Sequence, residues 1–250
     1  MKKHTLISST GNKLALLINV LPQEMNYIVI ACHGFLGGKE NRGWINYLKS
    51  ELEKINIGLV AFDFEGCGES EGDFADITLS RQALNLNDVI DYVRLEFAKP
   101  LILLGRSFGG STILVGGSNH EDVQGYVLWA TPVFLPETFS KIMPGVYEKL
   151  QKGEKITYED NGQIVNLNPN LVADFVNHDM DNHLENIKDK PVLIIHGDSD
   201  QVVEPSNAHY ILSKNQAAKL HIVNGADHGF TGHEKHRIDL TILWLASRFA

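Results

Sequence analysis

The sequence is short of cysteine, of positive charge and of long apolar runs, and each shortage removes a class of protein. Two cysteines in 250 residues, Cys32 and Cys67, do not make a disulfide framework. Both stand near predicted strand ends, where buried reduced thiols are expected. Lysine and arginine number 22 against 31 acidic residues, a formal net charge of −9. With no basic run to neutralise phosphates, nucleic acid is excluded as a partner, and an anionic membrane surface is disfavoured. No apolar stretch approaches the length of a membrane span. Met1-Lys2-Lys3 precedes an apolar run at 14–20, but no small-residue cleavage site follows it. An opening β-hairpin turning at Gly11-Asn12 accounts for the same residues, and a cytoplasmic location is the expectation. Neither an internal repeat nor a low-complexity segment is visible.

What is present is a regular alternation. Apolar runs at 27–33, 57–62, 101–104, 126–130, 191–196 and 219–223 read as strands buried on both faces. Between them, apolar residues recur at three- and four-residue steps. Trp44, Ile45, Leu48, Leu52 and Ile55 outline one helix, and Leu79, Ala83, Leu86, Ile90, Val93 and Phe97 a longer one starting near Thr78. Further helices are expected over 205–212 and from about Glu234 to the chain end. Such alternation predicts an α/β fold with a mostly parallel central sheet and helices on both faces. Residues 131–190 break the rhythm, because a plain crossover needs far fewer. Residues 156–159 and 163–167, joined through Asp160-Asn161-Gly162, read as a β-hairpin, and 171–176 as a short helix. The expected organisation is a core of residues 1–130 and 191–250 with an inserted lid, 131–190, over the carboxyl edge of the sheet.

The chemistry centres on Gly105-Arg106-Ser107-Phe108-Gly109, directly after a buried strand and before an apolar helix start. The pattern G-x-S-x-G in that context presents a serine on a tight turn, with neighbours that have almost no side chain. A hydroxyl is a weak nucleophile at neutral pH and needs a base, for which histidine is suited. His228 sits on a glycine-flanked loop after the last strand and is the preferred base. His196 reads as a packed strand-end residue. A carboxylate must then orient the imidazole. Asp198 and Asp200 both follow the strand ending at His196. Asp198 is placed to bond turn backbone, whereas Asp200 lies beside Val202-Val203, which would shield an ion pair, and is preferred. Asp227 would have to fold back on its own neighbour and is set aside. The order serine, aspartate, histidine suits the arrangement. The oxyanion donors are expected to be the backbone N–H groups of Phe108 and of Phe35, the latter in the loop after the His33 strand.

Taken together, Gly105 to Gly109, His33-Gly34-Phe35, Asp63 with Gly66-Cys67-Gly68-Glu69-Ser70, Gly197 with Asp200 and Val203, and Gly225-Ala226-Asp227-His228 resemble the α/β-hydrolase superfamily. The resemblance covers nearly the whole chain except residues 131–190. It implies that Asp200, three after Gly197, is the acid. Asp63-Phe64, the glycine- and serine-containing run to Phe74 and the hairpin-bearing insertion are similar to bacterial cinnamoyl and feruloyl-type carboxylesterases. The sequence departs from that branch's frequent histidine and glutamine around the serine, with Arg106 and Phe108 in those places.

Phe134, Phe139, Tyr147, Tyr158 and Phe175 are candidate lid or lining residues, and Phe134, Tyr158 and Arg106 are the substrate-contact candidates. Arg106 beside the serine could hold an anionic group or pack into the scaffold. His178-Asp179-Met180-Asp181-Asn182-His183 has metal-ligand residue types, but its spacing fits no defined site, and His233 with His236 lacks a third ligand. No metal or cofactor is expected. The function expected is hydrolysis of small carboxylic esters, aryl or cinnamoyl esters among them, through an acyl-enzyme. Thioesterase, amidase or peptidase, and acyltransferase chemistry could use the same three residues. A non-catalytic ligand-binding protein is the alternative from another class. The partner expected is a small-molecule ester, and both a monomer and a homodimer stay open.

Overall fold

In the computed structural model, residues 1–160, 162–215 and 217–249 are described. Ten strands are present among them: β1 (Lys2–Ile7), β2 (Lys13–Asn19), β3 (Tyr27–Cys32), β4 (Ile57–Phe62), β5 (Leu101–Arg106), β6 (Val123–Trp129), β7 (Ile156–Asp160), β8 (Gln163–Leu167), β9 (Val192–Gly197) and β10 (Lys219–Val223). The α-helices are α1 (Ile45–Glu53), α2 (Leu79–Phe97), α3 (Phe108–Gly117), α4 (Leu135–Ile142), α5 (Val146–Gln151), α6 (Asn170–Ala173), α7 (Met180–Asn186), α8 (Ser206–Lys214) and α9 (Glu234–Phe249). Eight strands form one sheet in the order β1-β2-β4-β3-β5-β6-β9-β10. The β1–β2 and β2–β4 pairs are antiparallel, and every pair from β4 to β10 is parallel.

The central strands are predominantly apolar because both faces are covered, and alternate residues divide between the two sides. Ile28, Ile30, Leu101, Leu103 and Ile194 join one buried cluster with α2, α3 and α8. Val29, Ala31, Ile102, Leu104 and Ile195 join the opposite cluster with α1 and α9. Each fully buried aliphatic side chain of this kind stabilises the fold by roughly 1.5–3 kcal/mol. Thr78 starts α2 as the expected cap, its side chain accepting a hydrogen bond from the Arg81 N–H. The opening hairpin turns through Gly11 at φ 92°.

The inserted segment carries α4 to α7 and the antiparallel β7–β8 hairpin. Asn161, in the expected hairpin turn, and Ala250, at the end of the expected last helix, lie outside the described residues. The stretch expected as one helix over 171–176 divides into α6 and a 3-10 turn, Asp174–Asn177. Phe139, Tyr147, Leu171 and Phe175 form a third buried cluster with Ile77, Leu79 and Phe108 of the main body. The inserted segment therefore has no core of its own that excludes the sheet domain.

Candidate active site

The turn between β5 and α3 is tight. Ser107 has φ 52° and ψ −126°, a region that residues with a side chain seldom occupy. Its N–H donates to the Trp129 carbonyl at 2.8 Å, and its carbonyl accepts the Gly110 N–H at 2.7 Å. The flanking glycines serve close approach, since neither has positive φ. A Cβ on Gly105 would stand 2.6 Å from Gly110 Cα, and one on Gly109 2.6 Å from the Cys32 carbonyl oxygen.

His228, from the loop after β10, reaches this serine: its Nε2 is 3.0 Å from Ser107 Oγ. Its Nδ1 is 2.8 Å from Asp200 Oδ2, on the loop after β9. Asp200 Oδ1 accepts the N–H groups of Val202 at 2.9 Å and Val203 at 2.8 Å. Burial opposes the charge on Asp200, but hydrogen bonds from His196 and His228 outweigh it and hold the carboxyl well below the usual range. An ionised carboxylate only accepts, so His228 Nδ1 carries the proton and Nε2 is left to accept from Ser107. Burial lowers the pKa of His228, partly offset by its hydrogen bond to Asp200, which keeps the imidazole neutral near pH 7.

The other acid and base candidates have different partners. Asp198 accepts the Gly225 N–H at 2.7 Å and so ties the turns after β9 and β10 together. Asp227 accepts the Thr231 N–H at 2.8 Å within its own loop. His196 is fully buried, its Nε2 2.8 Å from the Val203 carbonyl and 3.3 Å from Asp200 Oδ2. That second contact to Asp200 had no signal in the sequence beyond the four-residue spacing.

The loop after β3 lies directly against the serine: a Cβ on Gly34 would come within 3.0 Å of Ser107 Cβ. The N–H groups of Phe35 and Phe108 have no hydrogen-bond partner among the described residues. Two features brace this loop. His33 Nδ1–H donates to the Gly34 carbonyl at 2.9 Å, and its Nε2 accepts the Phe64 N–H at 3.2 Å. Burial lowers its pKa, consistent with that neutral tautomer. Lys39, buried, gives its N–H to Asp63 Oδ1 at 2.7 Å and its ammonium to Asp63 Oδ2 at 2.6 Å and Glu69 at 2.8 Å. Burial disfavours the ammonium, but these hydrogen bonds prevail and raise its pKa. The Lys39–Asp63 pair links the two glycine-rich loops and was not singled out from the sequence.

A cavity of about 610 Å³ opens over Ser107 and His228. Phe35, Ile142, Tyr158 and Val202 supply apolar wall, and Arg42, Arg106, Asp160 and Asp227 supply charge. Of the three substrate-contact candidates, Tyr158 and Arg106 line this cavity. Phe134 does not: its N–H is drawn to Asn207 Oδ1 at 3.1 Å, and its ring packs on Tyr210 of α8 with centroids 4.8 Å apart. It lines a separate hollow of about 190 Å³ beside α8. Phe139, Tyr147 and Phe175 are also withdrawn from the cavity as buried core of the inserted segment. Arg42 and Ile142 are lining residues that sequence reasoning missed. Nothing in the local pattern around Arg42 shows that the chain will turn it towards Ser107.

His178 and His183 do not converge on a common centre. His178 pairs with Asp174 at 3.1 Å and Ser80 at 3.0 Å, while His183 Nδ1 contacts Ser118 at 3.1 Å. Among the described residues no group of three or more histidine, cysteine or acidic side chains is placed to hold a metal ion. No helix there is long and apolar enough to cross a membrane.

A mostly parallel eight-stranded sheet with a serine on the β5–α3 elbow, facing a histidine and an aspartate from later loops, defines an α/β hydrolase. Within that superfamily, residues 23–182 match the family model described as serine aminopeptidase, S33, and the chain belongs to that family. The chain is 30% identical over 223 residues to YfhR of Salmonella typhi, described as uncharacterized, covering 83% of this chain and 66% of YfhR. It therefore spans a little under two thirds of the length of that relative. A putative esterase/lipase 2 of Mycoplasma pneumoniae is 25% identical over 247 residues, covering 89% and 90% of the two chains. Among solved structures, Est1E from Butyrivibrio proteoclasticus with ferulic acid bound superposes with a TM-score of 0.85 at 23% identity, over 97% of this chain and 98% of that one.

Proposed function

We propose that the chain is a serine hydrolase that cleaves small carboxylic esters through an acyl-enzyme on Ser107. The observation that carries this reading is His228 bridging Ser107 at 3.0 Å and Asp200 at 2.8 Å. In the first half-reaction Ser107 Oγ bonds to the ester carbonyl carbon as its proton passes to His228 Nε2. The oxyanion that forms is met by the unpartnered N–H groups of Phe35 and Phe108. Collapse of the tetrahedral species breaks the bond to the alkoxy oxygen, and His228 returns the proton to that oxygen. Water then repeats the sequence against the acyl-enzyme, with His228 again as base, and releases the acid and Ser107. Asp200 keeps its charge throughout and stabilises the transient imidazolium.

The cavity wall of Phe35, Ile142, Tyr158 and Val202 suits an acyl group with an aromatic ring, and ferulic acid is the ligand of a solved structure of the same fold. The family description favours amide cleavage at an amino terminus as a second reading, through the same residues. Arg42 and Arg106 repel a substrate ammonium, and Asp160 and Asp227 on the same cavity attract one, so the comparison of aminoacyl amides with esters decides between the readings.

Treatment with a fluorophosphonate probe and mass spectrometry tests the reading. Labelling is expected on Ser107, absent in Ser107→Ala, with kcat lower by a factor on the order of 10⁶ in that variant. Comparing kcat/KM across p-nitrophenyl esters, acyl-CoAs and aminoacyl amides then orders the substrate classes. Folded protein unlabelled at Ser107 contradicts the proposal.

A further inference from the structure

We infer that Arg42 and Arg106 form an anion-binding subsite in the Ser107 cavity, so that the preferred esters carry a carboxylate. This rests on the hydrolase reading above and names its substrate class. Both arginines line the cavity that holds Ser107 and His228. The Arg42 guanidinium has no hydrogen-bond or ion-pair partner among the described residues. Arg106 makes one long hydrogen bond, Nη2 to the His228 carbonyl at 3.4 Å, and no carboxylate lies within ion-pair distance of it there. Arg106 is half-buried in the cavity wall without a carboxylate partner, Arg42 adds a second guanidinium at the exposed rim, and the planar fork of each matches a carboxylate.

The backbone reinforces the placement. Asn41 at φ 48° and Arg42 at φ 54° are consecutive left-handed residues, a conformation kept only where surrounding structure enforces it. The result sets Arg42 against the histidine loop: a Cβ on Gly229 would meet Arg42 Nη1 at 3.2 Å. Behind them stands Arg237, only 2% exposed, stacked over Trp129 with its Cζ 4.1 Å from the ring centroid. Its Nε and Nη1 have no hydrogen-bond partner among the described residues. Burial, then repulsion from Arg42, lowers the Arg106 pKa to about 10, and burial, then Arg106, lowers that of Arg237 to about 9. Arg106 and Arg237 stay protonated near neutral pH, so both add positive charge on this side of the cavity.

The acids nearby have hydrogen-bond partners of their own, while the charges of Asp200 and Asp227 also favour the Arg106 guanidinium from a distance. Asp200 is paired with His228 and His196 and bonded to the Val202 and Val203 N–H groups. Asp227 accepts from the Thr231 backbone. Asp160 lines the cavity from β7, at the turn end of the hairpin, and Glu234 favours the Arg237 guanidinium.

The test compares kcat/KM for mono(4-nitrophenyl) succinate, with its carboxylate on the acyl side, and neutral 4-nitrophenyl butyrate of similar length. A third substrate, 4-acetoxybenzoate, puts the carboxylate on the leaving side. The expected result is a preference for one of the two anionic esters over its neutral counterpart. Arg42→Gln, at an exposed position, should reduce that preference by a factor on the order of 10 to 100. Arg106→Met, checked for folding by thermal denaturation, should act in the same direction. Turnover of the neutral ester with no anionic preference, or with a preference that Arg42→Gln leaves intact, overturns the subsite while the hydrolase reading stands. If no ester is turned over and Ser107 is not labelled, the hydrolase reading fails. Calorimetry with monomethyl succinate then decides the subsite alone: binding that weakens in Arg42→Gln supports it, and no binding overturns it.

Discussion

At the scale of single residues, the site depends on which atom each proton occupies. Asp200 commits one oxygen to backbone N–H groups and the other to His228. Asp200→Asn would keep the shape but present an amide where the imidazole needs an acceptor. The expected loss in kcat is on the order of 10⁴, accompanied by a lower thermal midpoint because a stabilising buried charge is removed, as steady-state kinetics and denaturation would show. On the proposed mechanism His228 must be neutral to take the serine proton, and burial lowers its pKa. Lower pKa means that protonation, and loss of activity, begins further to the acid side. The acid limb of kcat/KM is therefore expected to have its midpoint below the ordinary imidazole value of about 6.5. A midpoint above 7 in a pH–rate profile would contradict this assignment.

At the scale of elements, the elbow and the two loops beside it are held by close approach and by one buried ion pair. Gly109→Ala would press a methyl group against the carbonyl oxygens of Cys32 and His33. Separating β3 from α3 to relieve the clash would also displace Ser107, so loss of probe labelling together with a lower thermal midpoint is the expected outcome. Lys39→Met would leave Asp63, fully buried, without its cation. Breaking such a pair from one side typically destabilises by about 3–5 kcal/mol, which chemical denaturation would measure. Faster hydrogen exchange through residues 33–39 should accompany it, because the loop that presents the Phe35 N–H loses its anchor. The inserted segment is fastened similarly, with the Asp174 carboxylate accepting both the Ser80 N–H at 2.8 Å and its hydroxyl at 2.6 Å.

At the scale of the whole molecule, the inserted segment shares a core with the sheet domain through Ile77, Leu79 and Phe108. A segment whose buried side chains rest on another unit's residues is expected to unfold with it. Calorimetry should show one cooperative transition, and two resolved transitions would mean that residues 131–190 fold independently.

The parts of this architecture that were legible in the sequence are those that depend on near neighbours in the chain. The β-strands, the Thr78 cap, the β7–β8 runs and the Gly105–Gly109 elbow all follow from periodicity or from residues within a few positions of one another. The choice of Asp200 over Asp198 could be argued from Val202-Val203, whose backbone does bind its carboxylate. Tertiary structure alone decided where distant side chains finish. Phe134 left the cavity because Asn207, 73 residues on, holds its N–H and Tyr210 receives its ring. Arg42 entered because a left-handed backbone at 41–42 turns it towards a loop nearly two hundred residues later, a meeting that no spacing encodes. Local propensity acts through a few bonds, whereas the walls and charge of a cavity are set by surfaces that meet only after the chain has packed.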